Sequence, residues 1–198
     1  MARYHAIAAT SNAVRLLLEN AAATSEWSGG SFELYQAGEL QKPLEGTKPK
    51  VSVYLYRVLL STVRRDRGHR VGPDGLRYRP SIPLDLHYLV TAWSSDAKTA
   101  HQLLGWSIRV LEDTPVIPVG LLNAYQAGLE VFGPDETVEL VWEPLSLTDL
   151  YDIWQVSSQN QAPSASYIAR MVQIDSEVAL DEGGLVHVRQ FDYAKGPA

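Results

Sequence analysis

The chain has 198 residues, 45% hydrophobic and 20% charged, which is long enough and apolar enough to bury a core without cross-links or metal. It contains no cysteine, excluding disulfides, thiolate metal sites and cysteine nucleophiles, and no run reaches the ~18 apolar residues of a membrane helix. The net charge of −6 opposes general nucleic-acid binding, yet residues 64–79 hold six arginines against Asp66 and Asp74, a local +4 that leaves −10 for the rest.

In chain order, residues 5–19 read as a helix, with Ile7, Val14, Leu17 and Leu18 near helical spacing in an alanine-rich setting. A Ser/Gly loop follows, then a short strand over 31–36. Residues 50–62 alternate, with Val51, Val53 and Leu55 on one side and Ser52, Tyr54 and Tyr56 on the other. Residues 82–92 alternate likewise. Gly68, Gly72, Pro73, Asp74 and Gly75 lie between, so the pair reads as a long antiparallel hairpin with a basic tip. Residues 95–112 read as a helix capped by Ser94 or Ser95 and ended before Pro115. Prolines and glycines break residues 115–135. A strand is expected over 136–142. A further helix starts at Ser146-Leu147-Thr148-Asp149, a capping box with Asp in the acidic position. The last strand spans 165–177, with Tyr167, Ala169, Met171 and Gln173 on one side and Ile168, Arg170, Val172 and Ile174 on the other. The order predicts an α+β fold: a mixed, mostly antiparallel sheet flanked by helices, with a long basic hairpin loop. One domain over 1–178 and a C-terminal tail over 179–198 are expected.

Chemistry is sparse. None of the five histidines has a second at metal-ligand spacing, and HExxH, GxSxG, Walker A and GxGxxG patterns are missing. Asp85 and His87 share a strand face, an arrangement open to a dyad or to separate hydrogen bonding across the sheet. His101 reads as a packing residue on its helix. Trp142-Glu143-Pro144 reads as a strand end with a buried aromatic. No catalytic residue, cofactor or metal is expected.

Three stretches carry a resemblance. The first is Arg79-Pro80-Ser81-Ile82-Pro83-Leu84-Asp85-Leu86-His87-Tyr88-Leu89. The others are Leu145-Ser146-Leu147-Thr148-Asp149-Leu150-Tyr151-Asp152-Ile153-Trp154 and Ser166-Tyr167-Ile168-Ala169-Arg170-Met171-Val172. With the early helix and the Val51–Val58 strand, they make residues 5–175 resemble the N-terminal domain of cap (tail terminator) proteins of extracellular contractile injection systems, of the virulence-cassette and antifeeding-prophage type. The resemblance implies a non-enzymatic structural protein. It implies a homo-oligomeric ring, a hexamer, on the tube and sheath end distal to the baseplate, where it ends polymerisation and anchors the sheath. The implied partners are the sheath protein, the inner tube protein and further copies, with no membrane and no nucleic acid. The implied setting is assembly in the cytoplasm, within a phage-tail-like particle that can be released.

The candidate interface is Arg64, Arg65, Arg67, Arg70, Arg77 and Arg79 of the basic loop with Tyr167 and Arg170 of the last strand. The 31–36 strand and the last strand, 166–175, are the candidate open edges for accepting a partner's strand. The competing readings are a phage-like tail-completion protein, an enzyme built on Asp85 and His87, and a nucleic-acid binder using the basic loop.

Overall fold

The computed structural model describes residues 4–40, 48–62, 68–72, 74–155 and 161–180. Its elements are α1 (Ala6–Ala22), β1 (Ser31–Tyr35), β2 (Lys50–Leu60), β3 (Arg70–Val71), β4 (Arg77–Tyr78), β5 (Ile82–Trp93), α2 (Ala97–Asp113), β6 (Val116–Ile117), α3 (Val119–Leu122), β7 (Val138–Trp142), α4 (Leu147–Gln155) and β8 (Ser164–Ile174). Six strands form one sheet in the order β1-β2-β5-β8-β7-β6. β1 runs parallel to β2, and every other neighbouring pair is antiparallel, which gives the mixed, mostly antiparallel sheet that the patterning predicts.

Alternation decides which residues meet the helices. Val51, Val53, Tyr88, Val90, Ala165 and Tyr167 lie in the main core with Val14 and Leu18 of α1 and Leu103 and Leu111 of α2. The other sheet face carries a second cluster: Leu40, Leu89 and Trp93, with Trp154 of α4. Small residues let α1 approach the sheet closely, since Ala6, Ala9, Thr10 and Ala13 are all fully buried. Ser11 on the same helix lies 2.9 Å from the buried Tyr88 hydroxyl and donates to the Ile7 carbonyl. A phenol buried without that partner would bear its full desolvation cost. Ser11→Ala is therefore expected to lose about 1–3 kcal/mol in chemical denaturation, and adding Tyr88→Phe to that variant should recover much of the loss.

Caps fix both longer outer helices. Asp96, rather than Ser94 or Ser95, is the N-cap of α2 and accepts the Thr99 amide at 2.8 Å. In α4, Ser146 accepts the Asp149 amide and donates to its carboxylate, as the capping pattern predicts.

Two strands depart from simple alternation. The β2–β5 register slips between Leu55 and Arg57, leaving Tyr56 as an extra residue on β2. The β5–β8 register slips opposite Asp85, where Arg170 and Met171 share one partner position. Met171 there has φ +60, a left-handed conformation costing roughly 1–2 kcal/mol outside glycine. The Asp85 carboxylate accepts the Met171 amide at 3.2 Å and fastens this bulge. Beyond it Val172 joins Tyr167 and Ala169 in the main core, correcting the unbroken alternation expected for this strand. The basic segment is itself organised: β3 and β4 form a two-stranded sheet, and Tyr78 of β4 bridges to Ala179. The first residues of the expected tail thus pair with the body, while 181–198 lie outside the described residues.

Candidate assembly interface

The arginine segment enters the structure piecemeal. Arg64, Arg65 and Arg67 lie outside the described residues. Arg70 on β3 is half-buried: its guanidinium sits 4.8 Å from the Tyr78 ring centre, donates to the Ser176 carbonyl and lies 3.6 Å from the Asp175 carboxylate. That arginine ties the hairpin to the end of β8. Arg77 and Arg79 are exposed on and just after β4. The Asp74 carboxylate at the turn accepts the Tyr78 phenol at 2.5 Å and the Leu76 amide, and these bonds hold its pKa below the usual carboxylate range.

The two candidates on the last strand separate. Arg170 is exposed and stands opposite Glu139 of β7 in the register. Tyr167 is 0% exposed and meets the Trp142 ring edge-on at 5.4 Å. Burial, with Glu112 close by, pushes its phenol pKa up. Tyr167 is therefore a core residue in this chain, because its phase on β8 aims it at the helices.

The candidate edges separate too. β1 is an edge strand, paired on one side to β2. The last strand is not: β8 runs between β5 and β7, so its central residues already have partners on both sides. The true margin opposite β1 is β6, two residues that lie in the stretch predicted to be broken by prolines and glycines.

Asp85 and His87 do not meet as a dyad. Asp85 holds the Met171 amide, and His87 Nδ1 lies 2.9 and 3.0 Å from the two Glu143 carboxylate oxygens. Tyr56 donates to the same carboxylate at 2.6 Å and Ser166 at 3.0 Å, so one carboxylate gathers donors from β2, β5 and β8. Burial pushes the Glu143 pKa up, but the bonds from Tyr56, His87 and Ser166 together outweigh it and leave the pKa below the ordinary value. The Tyr56 phenol is pushed up, chiefly by burial and then by that carboxylate. Sequence reasoning missed Glu143 as a hub. The available signal was an acidic residue between a strand and Pro144 while a lone histidine sat on a core strand. Trp142 beside it is 44% exposed, not buried as expected, and His101 on α2 is exposed as well.

Among the described residues no group of three or more His, Asp or Glu is placed to hold a metal. No described helix is long and apolar enough to cross a membrane.

Comparison with known proteins bears on the family and the fold. The family model of the Pvc16 N-terminal domain matches residues 9–187. The fold is similar to the sheath/tube terminator of a PVC extracellular contractile injection system in its extended state. That match has 18% identity and a TM-score of 0.59, and covers 96% of this chain and 64% of that one. It is also similar to the tube-terminating cap of the anti-feeding prophage, at 19% identity and a TM-score of 0.54, covering 93% of this chain and 60% of that one. The chain thus spans less than two thirds of either solved relative. No curated protein matches it significantly.

Proposed function

We propose, from the premise that the chain belongs to the Pvc16 N-terminal domain family, that it is a structural cap ending the tube and sheath of a contractile injection system. The observation that carries this reading is the family match over residues 9–187, joined to a shared fold with two tube-terminating proteins over more than nine tenths of the chain. The role would be mechanical rather than catalytic: to stop subunit addition at the end of the tube and to hold the sheath there. Its partners would be the sheath protein, the inner tube protein and further copies of itself in a ring, a hexamer. It would work as a component of an extracellular particle assembled in the cytoplasm.

Features of the surface support such a role. Among the described residues β1 has an unpaired edge, to which an extended segment of a sheath subunit could add as one more strand. Arg64, Arg65, Arg67, Arg77 and Arg79 of the arginine segment, and Arg170 on β8, would meet acidic partner surfaces, with Arg70 bracing the hairpin that carries the segment.

Electron microscopy of particles from cells with and without the gene tests the proposal. Uniform, capped particles are expected with it, and overlong or open-ended ones without it. Particles of unchanged length and unchanged ends would overturn the reading.

A further inference from the structure

Beyond Arg170 the last strand runs with one side bare. β7 pairs with β8 only from Tyr167 to Arg170, and among the described residues no strand takes that side from Met171 onward. On its other side the chain stays paired: Val172, Gln173 and Ile174 with Leu84, Pro83 and Ile82 of β5, then Ala179 with Tyr78 of β4. Hydrogen-bonding direction alternates along a strand, so the bonds that are made show where the other groups point. The Pro83 carbonyl accepts the Ser61 amide on the β2 side, so the N–H and C=O of Gln173, its partner, point away from β5. The Val178 carbonyl and the Leu180 amide bond to Arg79 and Arg77, so the groups of Ala179 between them point away from β4.

What borders this bare side is concave and partly apolar. Met171 and Gln173 line a pocket of about 350 Å³ with Phe132, Asp135, Glu136 and Thr137 of the loop before β7. Farther along, Val178 is 52% exposed and Ala179 is exposed too. A free strand edge beside uncovered apolar groups is a template for another strand. The sequence that follows, outside the described residues, has the matching pattern. Asp181-Glu182-Gly183-Gly184 is a chain-reversal signal, because two glycines supply the positive φ that tight hairpins need. Leu185-Val186-His187-Val188-Arg189-Gln190-Phe191-Asp192-Tyr193 then mixes β-branched, aromatic and polar residues as strands do, without proline or glycine.

We infer that residues 185–193 of the same chain fold back as a further strand on this bare side of β8, with Gly183-Gly184 as the turn and the aromatic end of the segment closing the pocket. The reach fits. From Leu180 back to Gln173 is about seven residues of extended chain, and the same length forward from Leu185 ends at Asp192, so Phe191 and Tyr193 arrive beside Gln173. Val186, His187 and Val188 pass Ala179 and Val178 on the way and cover them. Lys195 follows, close to the Asp135 and Glu136 carboxylates that line the pocket. A strand tethered by so short a turn loses little loop-closure entropy and stands at high effective concentration, which favours it over a strand from any other molecule. Covering the edge also removes a place where other chains would pair. The inference holds whether or not the chain caps a particle.

Hydrogen exchange on the full chain tests it. The amides of residues 186–193, with those of Gln173 and Ala179, are expected to exchange at least ~100-fold slower than in an unstructured chain. Phe191→Asp with Tyr193→Asp should speed all of them about 10-fold or more, while α1 keeps its protection and so shows that the body is folded. Gly183→Val with Gly184→Val should do the same by blocking the turn. In the wild type the protection should be unchanged on dilution, since strand and edge belong to one chain. Exchange of 186–193 at the unstructured rate, or Gln173 and Ala179 unaffected by either variant, would overturn the inference. So would protection that falls on dilution, which would mean that another copy supplies the strand.

Discussion

Trp154→Ala is expected to release α4 from the sheet while leaving the main core folded. α4 has nine residues, too few to be stable alone in water, so its helicity depends on what it packs against. Trp154 is 4% exposed and meets Trp93 edge-on at 5.9 Å, in a cluster with Leu40 and Leu89 on the sheet face away from α1 and α2. Truncating a buried tryptophan costs about 3–5 kcal/mol. The Ser146 cap contributes about 1 kcal/mol, too little to hold the helix in place. Hydrogen exchange separates local from global loss. Amides of α4 are expected to exchange at least ~100-fold faster, while those of α1, in a different cluster, keep their protection. Equal acceleration in α1 would show that the two clusters open as one unit.

The same separation of faces explains which parts of the fold were legible in the sequence. Period-two runs at 50–62 and 82–92 gave the central hairpin because each strand has one face against helices. The helices were legible from their stripes and caps, although the N-cap of α2 fell on Asp96. What alternation could not give is a change of phase within a strand. Tyr56 and Met171 each add a residue to one strand of a pair, and neither is the glycine that would signal a bulge. The first bulge turns Arg57 to the face of His87 and Val58 to that of Leu86. The second turns Val172 into the core. Sheet order was equally hidden. A two-residue strand such as β6 has no periodicity to read, so the last strand passed for an edge when it lies inside the sheet. Side-chain assignments suffered in part: Arg170 is exposed, as an interface candidate must be, but Tyr167 is core, and Asp85 braces a bulge that had not been foreseen.

Glu143→Gln should cost stability at neutral pH, and the cost should vanish in acid. The carboxylate is 16% exposed and accepts from Tyr56, Ser166 and His87, which come from three different strands. Hydrogen bonds to a charged group contribute about 1.5–3 kcal/mol each when their partner is lost, and a neutral amide keeps only part of that. The sign follows from the direction of the shift. The folded-state pKa of Glu143 is held below its ordinary value, so the unfolded chain takes up this proton first. The contribution is complete above the ordinary glutamate pKa of about 4.3 and is lost as pH falls through the lower folded value. Thermal melts of wild type and variant should therefore differ at pH ~7 and converge below pH ~4. Tyr56 and His87 both contact the same carboxylate and Arg57 lies alongside, so the difference between the two proteins isolates Glu143. A gap independent of pH would mean that the side chain acts by shape alone. The consequence reaches the surface through Tyr56. That residue is the extra member of the β2 bulge, and its hydroxyl is fastened to Glu143. Loosening the bond frees the bulge that sets which way Arg57 and Val58 point, so the interior carboxylate helps fix the direction of exposed side chains on β2.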